Sequence, residues 1–391
     1  MQKEDSKANQ ATACLLLDDG TLLTGQGFGA EGCAVGELCF NTAMTGYQEI
    51  LTDPSYCGQI ITFTFPHIGN VGVNLEDMER ESPAAAGMIT RLLPTRRSNW
   101  RARSDLSNWM SSKGLIGCAG MDTRMLTRKI REMGAPLAAV EHSRGGNFDL
   151  SLLKSHLDRF PGLFGLDLAM QVTSRQAFEW NQSIWKWPSG YRSEPERDFL
   201  VVAVDYGAKH NILRCLSSVG CETKVVTADS SADDILRLEP DGLFLSNGPG
   251  DPAATGAYAV PMIREVIDRS DIPVFGICLG HQMLALALGG NTVKMNHGHH
   301  GANHPVKDIR TGKVEITSMN HGFAVDRDTL PSNVLETHVS LFDGTNCGLC
   351  VRDKPVFSVQ FHPEASPGPQ DCHYLFRDFS RLMRDRKKDA R

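Results

Sequence analysis

The sequence has no uninterrupted apolar run approaching the roughly 20 residues that a membrane-spanning helix needs. It has no block of basic residues apart from the short C-terminal stretch RDRKKDAR, which is expected to fray into solvent. The formal net charge is −6, and that balance argues against a nucleic-acid footprint. The first ten residues, MQKEDSKANQ, are polar and include acids, unlike a signal peptide or a typical transit peptide. The 11 cysteines, an odd number at irregular spacings, point to reduced thiols rather than a disulfide framework. CGLC, from Cys347 to Cys350, has C-x-x-C spacing but no second pair, and reads as ordinary strand-turn packing. No G-x-x-x-x-G-K-[ST] pattern occurs, so a Walker-type nucleotide loop is not supported. These absences together leave a cytoplasmic globular protein that binds neither membrane nor nucleic acid.

What is present is ordinary for such a protein: 41% hydrophobic and 22% charged residues. A chain of 391 residues exceeds one ordinary core, so two domains or three are expected. Residues 1–150 form the first. TACLLLDDGTLLTGQGFG should fold as a hairpin about Asp18-Asp19-Gly20, because Asp-Gly supplies the positive φ of a tight turn. DTRMLTRKIREMG predicts an amphipathic helix capped by Asp122, with Met125, Leu126 and Ile130 on its apolar side and Gly134 ending it. Residues 151–197, running into the polar PSGYRSEPERD, read as a linker region.

From residue 198 to 391 the pattern is regular. FLVVAVDYG, CETKVVTA, DGLFLSNGPGDP and IPVFGI are strand-like. Between them lie the helical AKHNILRCLSSVG, SADDILRLEP (capped by Ser230 or Ser231) and YAVPMIREVIDRS. Alternation with continuous apolar strands indicates α/β architecture, a mostly parallel sheet covered on both faces. Sites in such sheets gather at the strands' carboxyl ends, where SNGPGDP and CLGHQ both fall.

In PVFGICLGHQ a thiol sits on the hinge between strand and helix. A strand-turn-helix elbow projects Cys278 outward at the positive end of a helix dipole, which favours the reactive thiolate. A buried core cysteine is the alternative. A nucleophile needs an oriented base. VFSVQFHPEAS offers His362 and Glu364, which two residues apart in an extended segment share a side and can pair in triad fashion. The SNGPGDP loop can aim backbone N–H groups at an oxyanion. NHGHHGANH holds four histidines, at 297, 299, 300 and 304, but no H-E-x-x-H pattern or paired-cysteine framework accompanies them. The tract reads as a turn with polar contacts rather than a metal site.

GICLGHQ, SNGPGDP and HPEASPGP together resemble the class I, triad-type glutamine amidotransferases. More narrowly, FNTAMTGYQEILTDPSY, FPHIGNVG, DTRMLTRKIRE, GHHGANHPV and NHGFAV resemble the carbamoyl phosphate synthase small-chain family. The resemblance covers nearly the whole chain and is vague around 146–197. It implies a C-terminal class I amidotransferase domain with a cysteine elbow and a separate, smaller N-terminal mixed α/β domain. It implies Cys278 as nucleophile, His362 as base and Glu364 as orienting acid. The backbone amides of Gly248 and Leu279 would bind substrate or oxyanion, and Gly250, Gln282, Asn320, Gly322 and Phe323 would bind glutamine. Ser55, in TDPSY, would be a glutamine contact from the N-terminal domain. One departure precedes GHHG, where Asn296-His297 replaces a more apolar residue.

The implied activity is that of the glutamine-hydrolysing subunit: ammonia is released through a glutamyl thioester and passed to an ATP-dependent large subunit that makes carbamoyl phosphate from bicarbonate. The implied partners are L-glutamine and that large subunit, in a higher oligomer of heterodimers. No cofactor or metal is expected in this chain, ATP and its metal ion belonging to the large one. Three other readings stay open: a non-catalytic module, which Cys278 opposes, a stand-alone cysteine hydrolase, and the glutaminase of another synthase, which the N-terminal motifs oppose.

Overall fold

The computed structural model describes residues 10–193 and 197–389. Most of the polar N-terminal segment, part of the expected linker and the last two residues of the basic tail lie outside them. The chain divides into two compact units, Met1–Leu163 and Phe164–Arg391.

The first unit is built on a closed seven-stranded barrel. Its strands are β1 (Ala13–Leu17), β2 (Leu22–Gly29), β3 (Gly32–Asn41), β4 (Gln59–Phe63), β5 (Gly87–Ile89), β6 (Ile116–Ala119) and β7 (Leu137–His142), in the order β1-β2-β6-β5-β4-β3-β7. The expected hairpin is there: β1 and β2 pair antiparallel, Leu17 N donates to Thr21 O, and Gly20 takes φ +85°. Leu15, Leu38, Ile60, Ile89 and Val140 fill the interior. Helices α1 (Tyr47–Thr52), α2 (Leu106–Ser112) and α3 (Thr123–Met133) lie between strands. In α3 the Asp122 side chain accepts from Met125 N, Leu126 and Ile130 are buried, and Gly134 is the C-cap, as the spacing predicts.

The expected linker is structured over much of its length. α4 (Leu150–Arg159), capped by Asp149, buries Leu153 and Leu157 in one cluster with Cys14 and Ala139, inside the first unit. α5 (Ala169–Val172) and β8 (Phe178–Trp180) belong to the second unit, and the division falls after Leu163. The three residues of β8 carry no periodicity, yet they pair antiparallel with Thr223–Val225 of the main sheet.

That sheet adds β9 (Phe199–Asp205), β10 (Cys221–Thr227), β11 (Gly242–Leu245), β12 (Val274–Ile277), β13 (Asn291–Asp308), β14 (Val314–Asp326), β15 (Val334–Ser340), β16 (Asn346–Val351) and β17 (Val356–Val359). The order is β14-β13-β15-β16-β17-β12-β11-β9-β10-β8, with β10, β9, β11, β12 and β17 mutually parallel. The helices are α6 (His210–Ser218), α7 (Ala232–Leu236), α8 (Pro252–Arg269), α9 (Leu279–Ala287) and α10 (Tyr374–Asp389). Side chains alternate across a strand. Val202 and Val204 of β9 therefore join one core with Ile263 and Leu284, while Val201 and Ala203 join the other with Leu213 and Phe379. Ser231 caps α7. α8 begins at Pro252, earlier than its apolar pattern, because Asp251 caps it and Pro252 occupies the first turn.

Two local expectations are corrected. The histidine tract is no turn: it lies inside β13, whose register against β14 breaks between Lys294 and His299. The departure Asn296-His297 falls within that break. The basic tail does not fray within the described residues: α10 runs to Asp389, with Lys387 Nζ 2.9 Å from Asp241 Oδ2 and donating to Asp198 O. Cys347 and Cys350 lie in β16, and every cysteine is free. No helix among the described residues is long and apolar enough to cross a membrane.

Phe275 anchors one core. It is fully buried and packs against Phe244, Phe357, Phe376 and Phe379. Phe275→Ala should cost about 3–5 kcal/mol, read as a lowered urea midpoint at unchanged slope. A loss under about 1 kcal/mol would mean the ring contributes no such packing.

Candidate active site

The site lies at the carboxyl ends of the central parallel strands. Cys278 directly follows β12 and is the N-cap of α9, in the left-handed region at φ 54°, ψ −105°. A non-glycine residue there costs of order 1–3 kcal/mol and persists only where the surroundings enforce it. The surroundings do. Cys278 N donates to Val359 O of β17 (2.9 Å), and Gly280 N donates to Ser246 O at the end of β11 (2.9 Å). The elbow also needs its glycines: a Cβ on Gly280 would stand 2.2 Å from Leu245 O, and one on Gly276 2.7 Å from Gly280 O. The Cys278 sulfur is buried, 3.5 Å from Asn320 O.

His362 reaches the site from the residues after β17. Its backbone N–H donates to Ser318 O of β14, and Ala365 N donates back to His362 O. His362 and Glu364 thus pair across a turn, not along an extended segment; the turn brings the Glu364 Oε1 to 2.7 Å from His362 Nδ1. Both side chains are buried. Glu364 Oε1 also meets Lys209 Nζ at 2.9 Å, and Lys209 Nζ donates to Ala365 O at 2.7 Å. Asn211 Nδ2 donates to Glu364 O at 2.7 Å.

The electrostatics follow from this order. Burial alone would raise the Glu364 pKa, but the Lys209 ammonium and then the His362 ring outweigh it and hold the carboxyl well below its usual range. Burial alone would lower that of His362, but the Glu364 carboxylate and the nearby Cys278 sulfur outweigh it and raise the ring well above its ordinary value. His362 Nε2 has no hydrogen-bond partner among the described residues. A protonated imidazole beside the sulfur stabilises the negative charge that a cysteine carries as a nucleophile.

Around this row stand the remaining candidates of the second unit. Leu279 opens α9, so its N–H is among those a helix leaves without an intrahelical partner. Gly248 lets the β11 loop approach β9: a Cβ there would lie 2.2 Å from Tyr206 O. Gly250 takes φ +94° just before the α8 cap, where a Cβ would meet Leu166 O at 2.7 Å. Gln282 Nε2 donates to Phe323 O (2.7 Å) and Gln360 Oε1 (3.0 Å), tying the cysteine helix to β14. Asn320 Oδ1 lies 2.9 Å from His300 Nδ1, and a Cβ on Gly322 would meet no atom within 4 Å. Ser55 belongs to the first unit, in the short turn Pro54–Tyr56, where Asp53 Oδ1 accepts its N–H. The histidine tract makes local bonds of its own, such as His299 Nε2 to Asp343 Oδ2 at 2.9 Å.

Lys209 and Asn211 were not singled out by the sequence. The available signal was their position in DYGAKHN, directly after the glycine turn at the carboxyl end of β9. His300, which meets the Asn320 amide, was seen only as a member of the histidine tract.

A family model described as Glutamine amidotransferase class-I matches residues 202–382, and one described as Carbamoyl-phosphate synthase small chain, CPSase domain, matches residues 15–140. The carbamoyl phosphate synthase small chain of Ruegeria pomeroyi is 62% identical over 382 residues, covering 98% of each chain. That of Bradyrhizobium diazoefficiens is 61% identical, covering 97% of this chain and 96% of its own. That of Caulobacter vibrioides is 60% identical, covering 95% and 97%. The chain therefore belongs to the carbamoyl phosphate synthase small-chain family, and its C-terminal unit carries a class I glutamine amidotransferase domain.

Proposed function

We propose that this chain, as the glutamine-hydrolysing subunit of a carbamoyl phosphate synthase, cleaves glutamine with Cys278, His362 and Glu364. The observation that carries the reading is the meeting, in one buried place, of an elbow cysteine and a histidine whose other nitrogen is held by an ionised carboxylate.

The Cys278 sulfur attacks the side-chain amide carbon of glutamine and its electron pair moves onto oxygen. Backbone N–H groups of Leu279 and Gly248 stabilise that oxyanion. As the tetrahedral adduct collapses, the C–N bond breaks and His362 gives its proton to the departing nitrogen, which leaves as ammonia. Water, deprotonated by His362, then attacks the thioester and releases glutamate and the thiolate. Glu364 holds the imidazole's orientation and favours its charged form, and Lys209 keeps Glu364 ionised. Gln282, Asn320, Gly322 and Phe323 shape the glutamine pocket, with Gly250 supporting the loop. The ammonia goes to an ATP-dependent large chain, on which ATP and its metal ion reside, within a higher oligomer of such pairs. Eleven free cysteines suit the reducing cytoplasm as the place of work.

Cys278→Ala should reduce glutamine-dependent synthesis at least about 1,000-fold and leave ammonia-dependent synthesis by the complex intact, since only ammonia release needs the thiol. Glutamate release at the wild-type rate by this variant would sink the assignment.

Lys209→Met leaves Glu364 buried without its cation. Stability should fall by about 3–5 kcal/mol. Because Glu364 works ionised and its proton affinity rises, the acid limb of kcat/KM for glutamine should move to higher pH. Adding Glu364→Gln removes the orphaned charge and should recover stability but not activity. An unshifted acid limb with unchanged stability would show that Lys209 does not serve Glu364.

A further inference from the structure

Two bonded loops of the first unit present an unusual surface. Between Arg91 and Ser104 lie five arginines and no acidic residue. This loop is pinned along its length to the segment at 68–73: Thr95 N donates to Ile68 O, Ser98 N to Asn70 O and Arg103 N to Val73 O, each at 2.8 Å. Contact is close enough that a Cβ on Gly69 would stand 2.6 Å from Thr95 O. Arg101 is spent internally, its guanidinium 2.6 Å from Asp77 Oδ1 and 3.0 Å from Glu76 Oε2. The result is a fixed platform.

What the platform turns outward is costly for a free surface. Trp100 is 72% exposed, Leu75 87%, and Leu92 and Leu93 about half. Arg96, Arg97 and Arg103 are exposed and make no ion pair among the described residues. Tryptophan and arginine are the residues enriched where binding energy concentrates, and leucines exposed beside them supply apolar area. A loop already fixed by its own hydrogen bonds loses little entropy when a partner covers it. Uncompensated arginines on a chain of net charge −6 call for an acidic counterpart.

We infer that the 91–104 loop, with Leu75 beside Glu76 and Asp77, docks onto an acidic, partly apolar surface of the large synthase chain. This rests on the reading that the large chain is the partner. Arg96, Arg97 and Arg103 guide the encounter, and Trp100 with the leucines holds the complex.

The test uses full-length chains. Tagged small chain and untagged large chain are mixed, and association and dissociation are followed at low and high salt. The doubly reversed Arg96→Glu/Arg97→Glu chain should bind at least about 30-fold more weakly at low salt, chiefly through slower association. Trp100→Ala should bind at least about 30-fold more weakly through faster dissociation. Both free variants should retain the wild-type melting temperature and basal glutaminase, which separates docking from misfolding. Wild-type binding with both variants within about twofold of it overturns the surface and leaves the partner reading standing. A wild-type chain that never holds the large chain overturns both. Saturable binding of a short RNA or DNA duplex, lost on Arg96→Glu/Arg97→Glu while the large chain is still held, overturns the assignment in favour of nucleic acid.

Discussion

Lys209, Glu364 and His362 form a row of alternating charge inside an apolar core, and it ends at the Cys278 sulfur. Removing an ion from water costs several kcal/mol, so no member could be kept charged there alone. Each is held ionised by its neighbour. The row therefore behaves as one unit, and hydrogen bonds from the residues around it fix its spacing. Asn211 pins the Glu364 backbone, the Ala365 carbonyl accepts a hydrogen bond from Lys209 Nζ, and the Ser318 carbonyl accepts the His362 backbone N–H. A shift of one partner would strand the next as an unpaired buried charge, a far larger penalty than a lost surface ion pair.

The elbow meets the same demand for fixity by a different route. Cys278 is held in a backbone conformation that few side chains adopt, between two strands already bonded into the sheet. Gly276 and Gly280 allow α9 to start directly against β11, and the strain is carried by a stretch that cannot relax without breaking the sheet. The thiol is thus aimed by the central strands, and the His362 imidazole is delivered by the residues that follow the strand beside it. Gln282, bonded to Phe323 O and Gln360 Oε1, locks the helix that follows to β14 and to the stretch just after β17.

The two units differed in how much of them the sequence disclosed. The parallel strands were legible because burial on both faces makes each a continuous apolar run, and the helices between them carry their own caps. The barrel was not. Its strands β5 and β6 have three and four residues, and closure depends on pairings such as Gln26 with Ala119, remote in sequence and without local signature. β8 was missed for the same reason, and α4 because its apolar side amounts to Leu153 and Leu157. In the site, Cys278, His362 and Glu364 were legible from residue type and spacing, although the pair is made by a turn. Lys209 was not, because a lysine opening a helix looks like solvent-facing charge until its ammonium is found against a buried carboxylate. Ser55 sits in the other unit, and its role stays with the family resemblance.

Because β12 and β17 are neighbours in space, the Cys278 thiol and the His362 imidazole share one spot while lying 84 residues apart along the chain, from 278 to 362. During synthesis the cysteine leaves the ribosome first, and at about 5–20 residues per second its histidine follows roughly 4 to 17 seconds later. In that interval β12 has no parallel neighbour on its far side, the Cys278 N–H has no carbonyl of residue 359 to receive it, and no imidazole stands beside the sulfur. Only when that last strand pairs with β12 do the sulfur and the imidazole come together. The order of the polypeptide itself thus leaves the meeting of Cys278 and His362 to a late stage of synthesis.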